Sequence, residues 1–151
     1  MKSLLIALVA IIFSITSSNA QAQKKPSLSI LIEGLSEHAQ KCGVTTDNMR
    51  APAVLILRQN RIDVASKNTY PFLYINLTIY ISGASCVYNL LVSIHSIQSA
   101  QERNGFRANK SEGVDLCHEG YTGAVPVNRT STVVTEQIEK LLKQCLADIS
   151  Y

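Results

Sequence analysis

The sequence predicts an α+β fold: a two-layer sandwich in which a mainly antiparallel sheet carries two helices on one face. Two features carry that expectation. Stretches of period-2 alternation, Tyr70–Ile81 and Cys86–Gln98, mirror each other across Gly83-Ala84. Amphipathic segments flank them, one ending near Asn60 and one beginning at Thr132. With a strand ahead of each segment the order is β-α-β-β-β-α, with room for one short extra strand before the central hairpin.

Residues 1–22 have the form of a secretory signal peptide. Lys2 supplies the positive charge, and Leu4–Ile15 is an apolar run shorter than the roughly 20 residues that span a bilayer. Ala20-Gln21-Ala22 gives the small-residue cleavage pattern, which would start the mature chain at Gln23; Ser18-Asn19-Ala20 is the alternative site. No later apolar run is long enough for a transmembrane helix. The expectation is a single exported domain over residues 23–151, periplasmic or secreted. The chain carries 14 Lys and Arg against 11 Asp and Glu, with no basic cluster beyond Lys24-Lys25, and so lacks the electrostatic footprint of a nucleic-acid binder.

Ser27–Glu33 alternates Leu28, Ile30 and Ile32 with Ser27, Ser29 and Leu31, and predicts the first strand. Leu35–Gly43 fits one helical turn or a loop, with Gly43 as its closing residue. Thr45, Thr46 or Asp47 can cap a helix running to about Asn60. Its stripe is Met49, Ala53, Ile56 and Asn60, or Val54, Leu57 and Arg61. Pro52 argues for a start nearer Ala51 or an irregular first turn, because proline deep in a helix costs about 3 kcal/mol. Arg61–Val64 is the short extra strand.

The central hairpin follows from parity. Leu73, Ile75, Leu77, Ile79 and Ile81 share one face of the first strand, and Tyr88, Leu90, Val92 and Ile94 share one face of the second. A two-residue type II′ turn at Gly83-Ala84 pairs Leu73 with Ile94 and Leu77 with Leu90, so both aliphatic sets fall on the same side. The other face pairs Phe72 with His95, Tyr74 with Ser93 and Tyr80 with Val87, and is half apolar. Ser99–Ser111 is a polar loop. Glu112–Val127 predicts a strand with a bulge or bend near Gly120, and Asn128–Ser131 a turn with a cap. The closing helix buries Val134, Ile138, Leu141, Leu142, Cys145 and Ile149, and the Glu136–Lys140 and Glu139–Lys143 pairs have the favourable i, i+4 order on its outer side.

Cys42, Cys86, Cys117 and Cys145 make an even set with no C-x₂₋₄-C pair, which in an exported chain favours disulfides over metal. The first helix starts at the turn end of the hairpin, which puts Cys42 near Cys86. Cys117 and Cys145 fall at the opposite end of the sheet, so Cys42–Cys86 and Cys117–Cys145 are the expected bridges.

Leu57-Arg58-x-x-Arg61-Ile62-x-Val64, followed by Leu73-Tyr74-Ile75-x-Leu77 and a closing amphipathic helix, is similar to a broad group of small exported bacterial α+β proteins. The layout also resembles the amino-terminal domain of the Tol system's β-propeller protein. The resemblance implies an envelope or secreted setting and carries over no site residue.

Asp115-x-Cys117-His118-Glu119 is the densest polar cluster. Neighbours along a strand point to opposite faces, so Cys117 and His118 do not share a site, and a disulfide removes Cys117 as a nucleophile. No catalytic, dinucleotide or phosphate-binding fingerprint occurs, and no cofactor or metal is expected. Asn76, Asn109 and Asn128 begin N-x-[ST] sequons, relevant only in a eukaryotic secretory pathway. If no helix covers the second hairpin face, Phe72, Tyr74, Tyr80, Val87, Leu91 and Ile97 form an apolar patch of the kind that marks interaction sites; the competing expectation is that residues 35–43 or 99–111 fold over it. The expected function is a non-enzymatic envelope or periplasmic module that binds a protein or lipid partner, or itself, through that face. The alternative is a small hydrolase or metal-dependent enzyme using Asp115, His118 and Glu119.

Overall fold

The structure, a computed structural model, describes residues 26–67, 69–99 and 111–149. The expected leader, Lys24-Lys25, Asn109 and all but the ends of the 99–111 loop lie outside these residues. The described elements are β1 (Ser27–Ile32), α1 (Glu37–Lys41), α2 (Thr46–Gln59), β2 (Asp63–Val64), β3 (Phe72–Ser82), β4 (Ser85–Ser99), β5 (Ser111–Pro126) and α3 (Thr130–Ile149). They form an α+β sandwich on one five-stranded mixed sheet of order β2-β1-β3-β4-β5. Its two long pairings, β3 with β4 and β4 with β5, are antiparallel; β1 pairs in parallel with β2 and with β3.

The hairpin has the register that parity demands. Leu73 faces Ile94, Leu77 faces Leu90 and Ser82 faces Ser85 across Gly83, which holds φ 61°. Leu73, Ile75, Leu77, Ile79, Tyr88, Leu90, Val92 and Ile94 are all buried. Against them pack Ala39 of α1, Met49, Ala53, Ile56 and Leu57 of α2, and Val134, Ile138, Leu141 and Leu142 of α3. Residue 123 must be small here. A Cβ on Gly123 would lie 2.9 Å from the Tyr121 ring and 3.0 Å from the Tyr88 hydroxyl, whose ring fills the space above the strand.

The segment left open between turn and loop is a short helix. Ser36 caps α1, and after Cys42 the chain turns through Gly43 at φ 73°, whose N–H donates to the Gln40 carbonyl. α2 begins at Thr46, earlier than Pro52 had suggested. Thr45 and Asn48 form a capping box: the Thr45 hydroxyl accepts from Asn48 N–H at 3.3 Å, and Asn48 Oδ1 accepts from Thr45 N–H at 2.9 Å. Pro52 therefore sits well inside the helix, where it cannot donate to the Asn48 carbonyl. The Thr135 hydroxyl of α3 donates to that carbonyl at 3.2 Å instead. The side-chain amide of Asn48 also donates to Ser131 Oγ at 2.8 Å, so one residue ties α2 to α3 twice.

Removing the substitute donor by Thr135→Val is expected to cost about 1–2 kcal/mol, because a part-buried carbonyl loses its partner. In a Pro52→Ala background the cost should shrink, since residue 52 regains an N–H for the same carbonyl. Urea unfolding of the four chains measures this, and an equal cost in both backgrounds would disprove the substitution.

β5 differs from expectation in its irregularity. The bulge is not near Gly120, which faces Leu91 in regular register. Ile94 faces Cys117 while His95 faces Asp115, so Leu116 is the extra residue. Leu116 is partly buried against the core. Strict alternation would put Asp115 and Cys117 on one face; the bulge separates them. After Pro126 a 3₁₀ turn, Val127–Arg129, leads directly into α3 at Thr130, two residues before the amphipathic pattern begins. On the outer side of α3, Lys143 pairs with Glu139 at 3.8 Å.

Two disulfides fasten the layers together. Cys42–Cys86 joins the end of α1 to the start of β4, with Cα atoms 6.3 Å apart, and Cys117–Cys145 joins β5 to α3 at 5.3 Å. Among the described residues no helix is long and apolar enough to cross a membrane.

Candidate functional site

All three described helices pack on one side of the sheet, so the opposite side is the candidate surface. It presents Leu31 and Glu33 from the β1 region, Phe72, Tyr74, Asn76, Thr78 and Tyr80 from β3, and the odd-numbered residues of β4. Residues 35–43 do not cover it. Ala39, Cys42 and Val44 are buried in the core, and Cys42 is bridged to Cys86 on the helix side. Tyr80 is 53% exposed, Ile97 44% and Leu31 37%, whereas Phe72, Tyr74, Val87 and Leu91 are half-buried. Near β1 the segment before β3 crosses the surface, and buried Ser29 donates its hydroxyl to the Thr69 carbonyl at 2.7 Å.

This face is not simply apolar. One polar row runs along β3 to the residue after β1: Asn76 Nδ2 donates to the Tyr74 hydroxyl at 3.1 Å, and that hydroxyl donates to Glu33 Oε2 at 2.6 Å. A second row runs across β4 to β5. His95 Nδ1 lies 2.5 Å from Asp115 Oδ1, and its Nε2 lies 2.8 Å from Ser93 Oγ. The neutral tautomer that satisfies both partners carries its hydrogen on Nδ1 and accepts from the serine. Aromatic rings join the rows. Phe72 stacks on His95 at 4.9 Å, Tyr74 meets His95 edge-on at 5.9 Å, and Tyr70 lies 4.8 Å from Phe72.

Ser93, His95 and Asp115 are in hydrogen-bond order for an acyl-transfer relay, a row the sequence did not reveal. Its surroundings oppose that chemistry. Ser93 is 1% exposed, and β4 is paired on both sides at this point, to Tyr74 and to His118, so its ladder N–H groups are not arranged as oxyanion donors. The row instead fixes the imidazole against Phe72 and holds Asp115 at the surface. The suspected set Asp115, His118 and Glu119 is divided between faces: His118 lies opposite Ser93 on the open side, and Glu119 opposite Val92 on the helix side. Among the described residues no group of three or more His, Cys, Asp or Glu could hold a metal ion. Cys117 is 8% exposed and disulfide-bonded.

The hydrogen bond to Glu33 is the largest influence holding the Tyr74 phenol above its ordinary range, followed by burial and the carboxylate's charge. Tyr88 is also raised, mainly by burial and then by Tyr121. For Tyr74 the neutral form is the one favoured in the folded protein. Its contribution is therefore intact below the unfolded value near 10 and is lost as pH rises through the raised one. Alkaline titration at 295 nm, with Tyr74→Phe for assignment, should show Tyr74 moving back towards the ordinary value in Glu33→Gln while Tyr88 stays raised. An unmoved Tyr74 would mean that Glu33 is not the cause.

No protein-family model matches the sequence, and no curated protein matches it. Among solved structures the chain is similar to a PelC dodecamer from Paraburkholderia phytofirmans, at 16% identity over 80% of this chain and 86% of that chain, with a TM-score of 0.46.

Proposed function

We propose that this chain is an exported, non-enzymatic interaction module of the cell envelope, periplasm or secreted space, holding a protein partner against its open sheet face. One observation carries the proposal. A sheet packed by all three helices on one side presents exposed Tyr80, Ile97 and Leu31 and half-buried Phe72, Tyr74, Val87 and Leu91 on the other. An apolar, tyrosine-bearing surface of this kind favours association. The two disulfides and the signal-peptide pattern of residues 1–22 support export to an oxidising compartment. A lipid partner or a second copy of the chain would use the same surface.

A photoreactive phenylalanine analogue placed at Tyr80 or Val87 in exporting cells tests the reading against one placed at Leu55, a 52% exposed residue on the outer side of α2. Adducts of the same protein mass are expected from both sheet positions and not from Leu55. In the Val87-labelled chain, Tyr80→Asp should remove the adduct while the melting temperature stays within a few degrees. Equal labelling from both layers, or none from the sheet, would overturn the proposal; an adduct of twice the chain mass would make the partner a second copy.

A further inference from the structure

We infer that the part of the open face around His95 recognises a basic, extended protein segment, with two cationic side chains four residues apart and an apolar one between them. The inference deepens the interaction reading above and rests on it. Its basis is charge complementarity. The described parts of β1, β3, β4 and β5 contain no Lys or Arg. Lys41, Arg50, Arg58, Lys140 and Lys143 belong to the helix layer, and the other described cations, Arg61, Lys67 and Arg129, to connecting segments and the 3₁₀ turn. The open face does carry Glu33 and Asp115, each positioned by the ring beside it: the Tyr74 hydroxyl holds Glu33 Oε2, and the His95 imidazole holds Asp115 Oδ1. Asp115 remains 54% exposed at its side chain, and each carboxylate has a second oxygen for an incoming donor.

The two acids bracket the rings. Glu33 continues β1 by donating its N–H to the Ile75 carbonyl, and Asp115 lies on β5, so β3 and β4 stand between them. Glu33 follows Ile32, the partner of Ile75, while Asp115 faces His95, the partner of Phe72, so the two backbones are offset by about four residues along the strands as well as three strand spacings across them, about 19 Å on the diagonal. Their side chains reach inward, and the contacts Glu33–Tyr74, Tyr74–His95 and His95–Asp115 hold the two carboxylates within about 15 Å of each other. An extended chain advances about 13 Å over four residues and presents residues i, i+2 and i+4 on one side. Such a segment lying diagonally across the strands would place a cation at each carboxylate and an apolar side chain on Phe72 and Tyr74. The ring faces add cation–π attraction to a lysine or arginine approaching over them.

The test uses the folded, oxidised protein and three synthetic peptides in extended, Thr-rich frames: Arg-Thr-Val-Thr-Arg, its Glu-flanked analogue and its Gln-flanked analogue. Binding is read by amide chemical-shift perturbation in 20 mM and 300 mM salt. The basic peptide is expected to shift Phe72, Tyr74, His95 and Asp115, and to weaken at high salt. Glu33→Gln and Asp115→Asn, which keep hydrogen-bonding shape without charge, should each weaken it about three- to fivefold, and together more than tenfold. Equal binding of the Gln-flanked peptide, or undiminished binding to the double variant, would overturn the inference, as would no binding of any peptide. If the peptides fail while Tyr80→Asp still removes the cellular adduct, the interaction reading stands and only its basic-partner chemistry falls.

Discussion

Replacing both Cys42 and Cys86 by Ala should lower the stability of the folded chain by about 4 kcal/mol, and replacing both Cys117 and Cys145 by about 3.6 kcal/mol. The bridges span 44 and 28 residues, and in the chain-entropy account the longer loop restricts the unfolded ensemble more. For a domain of this size either loss should lower Tm by about 10–15 °C. The two differ in what they release. Loss of the first detaches α1 and the start of α2 from the turn end of the hairpin; loss of the second frees the latter half of α3 from the edge strand β5. Urea unfolding distinguishes an entropic origin from lost packing, because an unfolded chain freed of a cross-link exposes more surface and raises the m-value. A loss below about 1 kcal/mol with an unchanged m-value would show that the bridges add little to an already sufficient core.

Most of the fold was legible because its strongest signals are local. A two-residue turn fixes a hairpin register completely, so the faces of Leu73–Ile81 and Cys86–Ile94 followed from parity alone. The stripe of α3 was legible for the same reason: Val134, Ile138, Leu142 and Cys145 recur at helical spacing. What escaped was non-local. Pro52 reads locally as a barrier to a helix starting at Thr46, since the donor that relieves it, Thr135, is distant in sequence. β5 is joined to β4 through a long connection, so no turn sets its register, and the bulge at Leu116 reverses the parity on either side of it. The meeting of Asp115 with His95 depends on both. The Asp115, His118 and Glu119 cluster looked chemical because the three are close in sequence, but alternation along β5 sends Glu119 to the helix side.

Leu90→Ala is expected to cost about 2–5 kcal/mol, and Leu91→Ala less than about 1 kcal/mol in the isolated protein. The two residues are adjacent and chemically identical, so the contrast isolates the face on which each lies. Leu90 is fully buried between Leu77 and Tyr121 under the helix layer, and truncating it opens a cavity that the disulfide-pinned helices cannot readily collapse into. Leu91 is half-buried, between Asn76 and Gly120 on the open side, where solvent can fill the vacated space. Chemical denaturation of the two variants measures the difference directly. Comparable losses would mean that the second face is also packed, and the interaction reading would lose its surface. A small loss at Leu91 together with weaker partner crosslinking from Val87 would have the opposite meaning: the side chain contributes little to the fold and is retained for what docks against it.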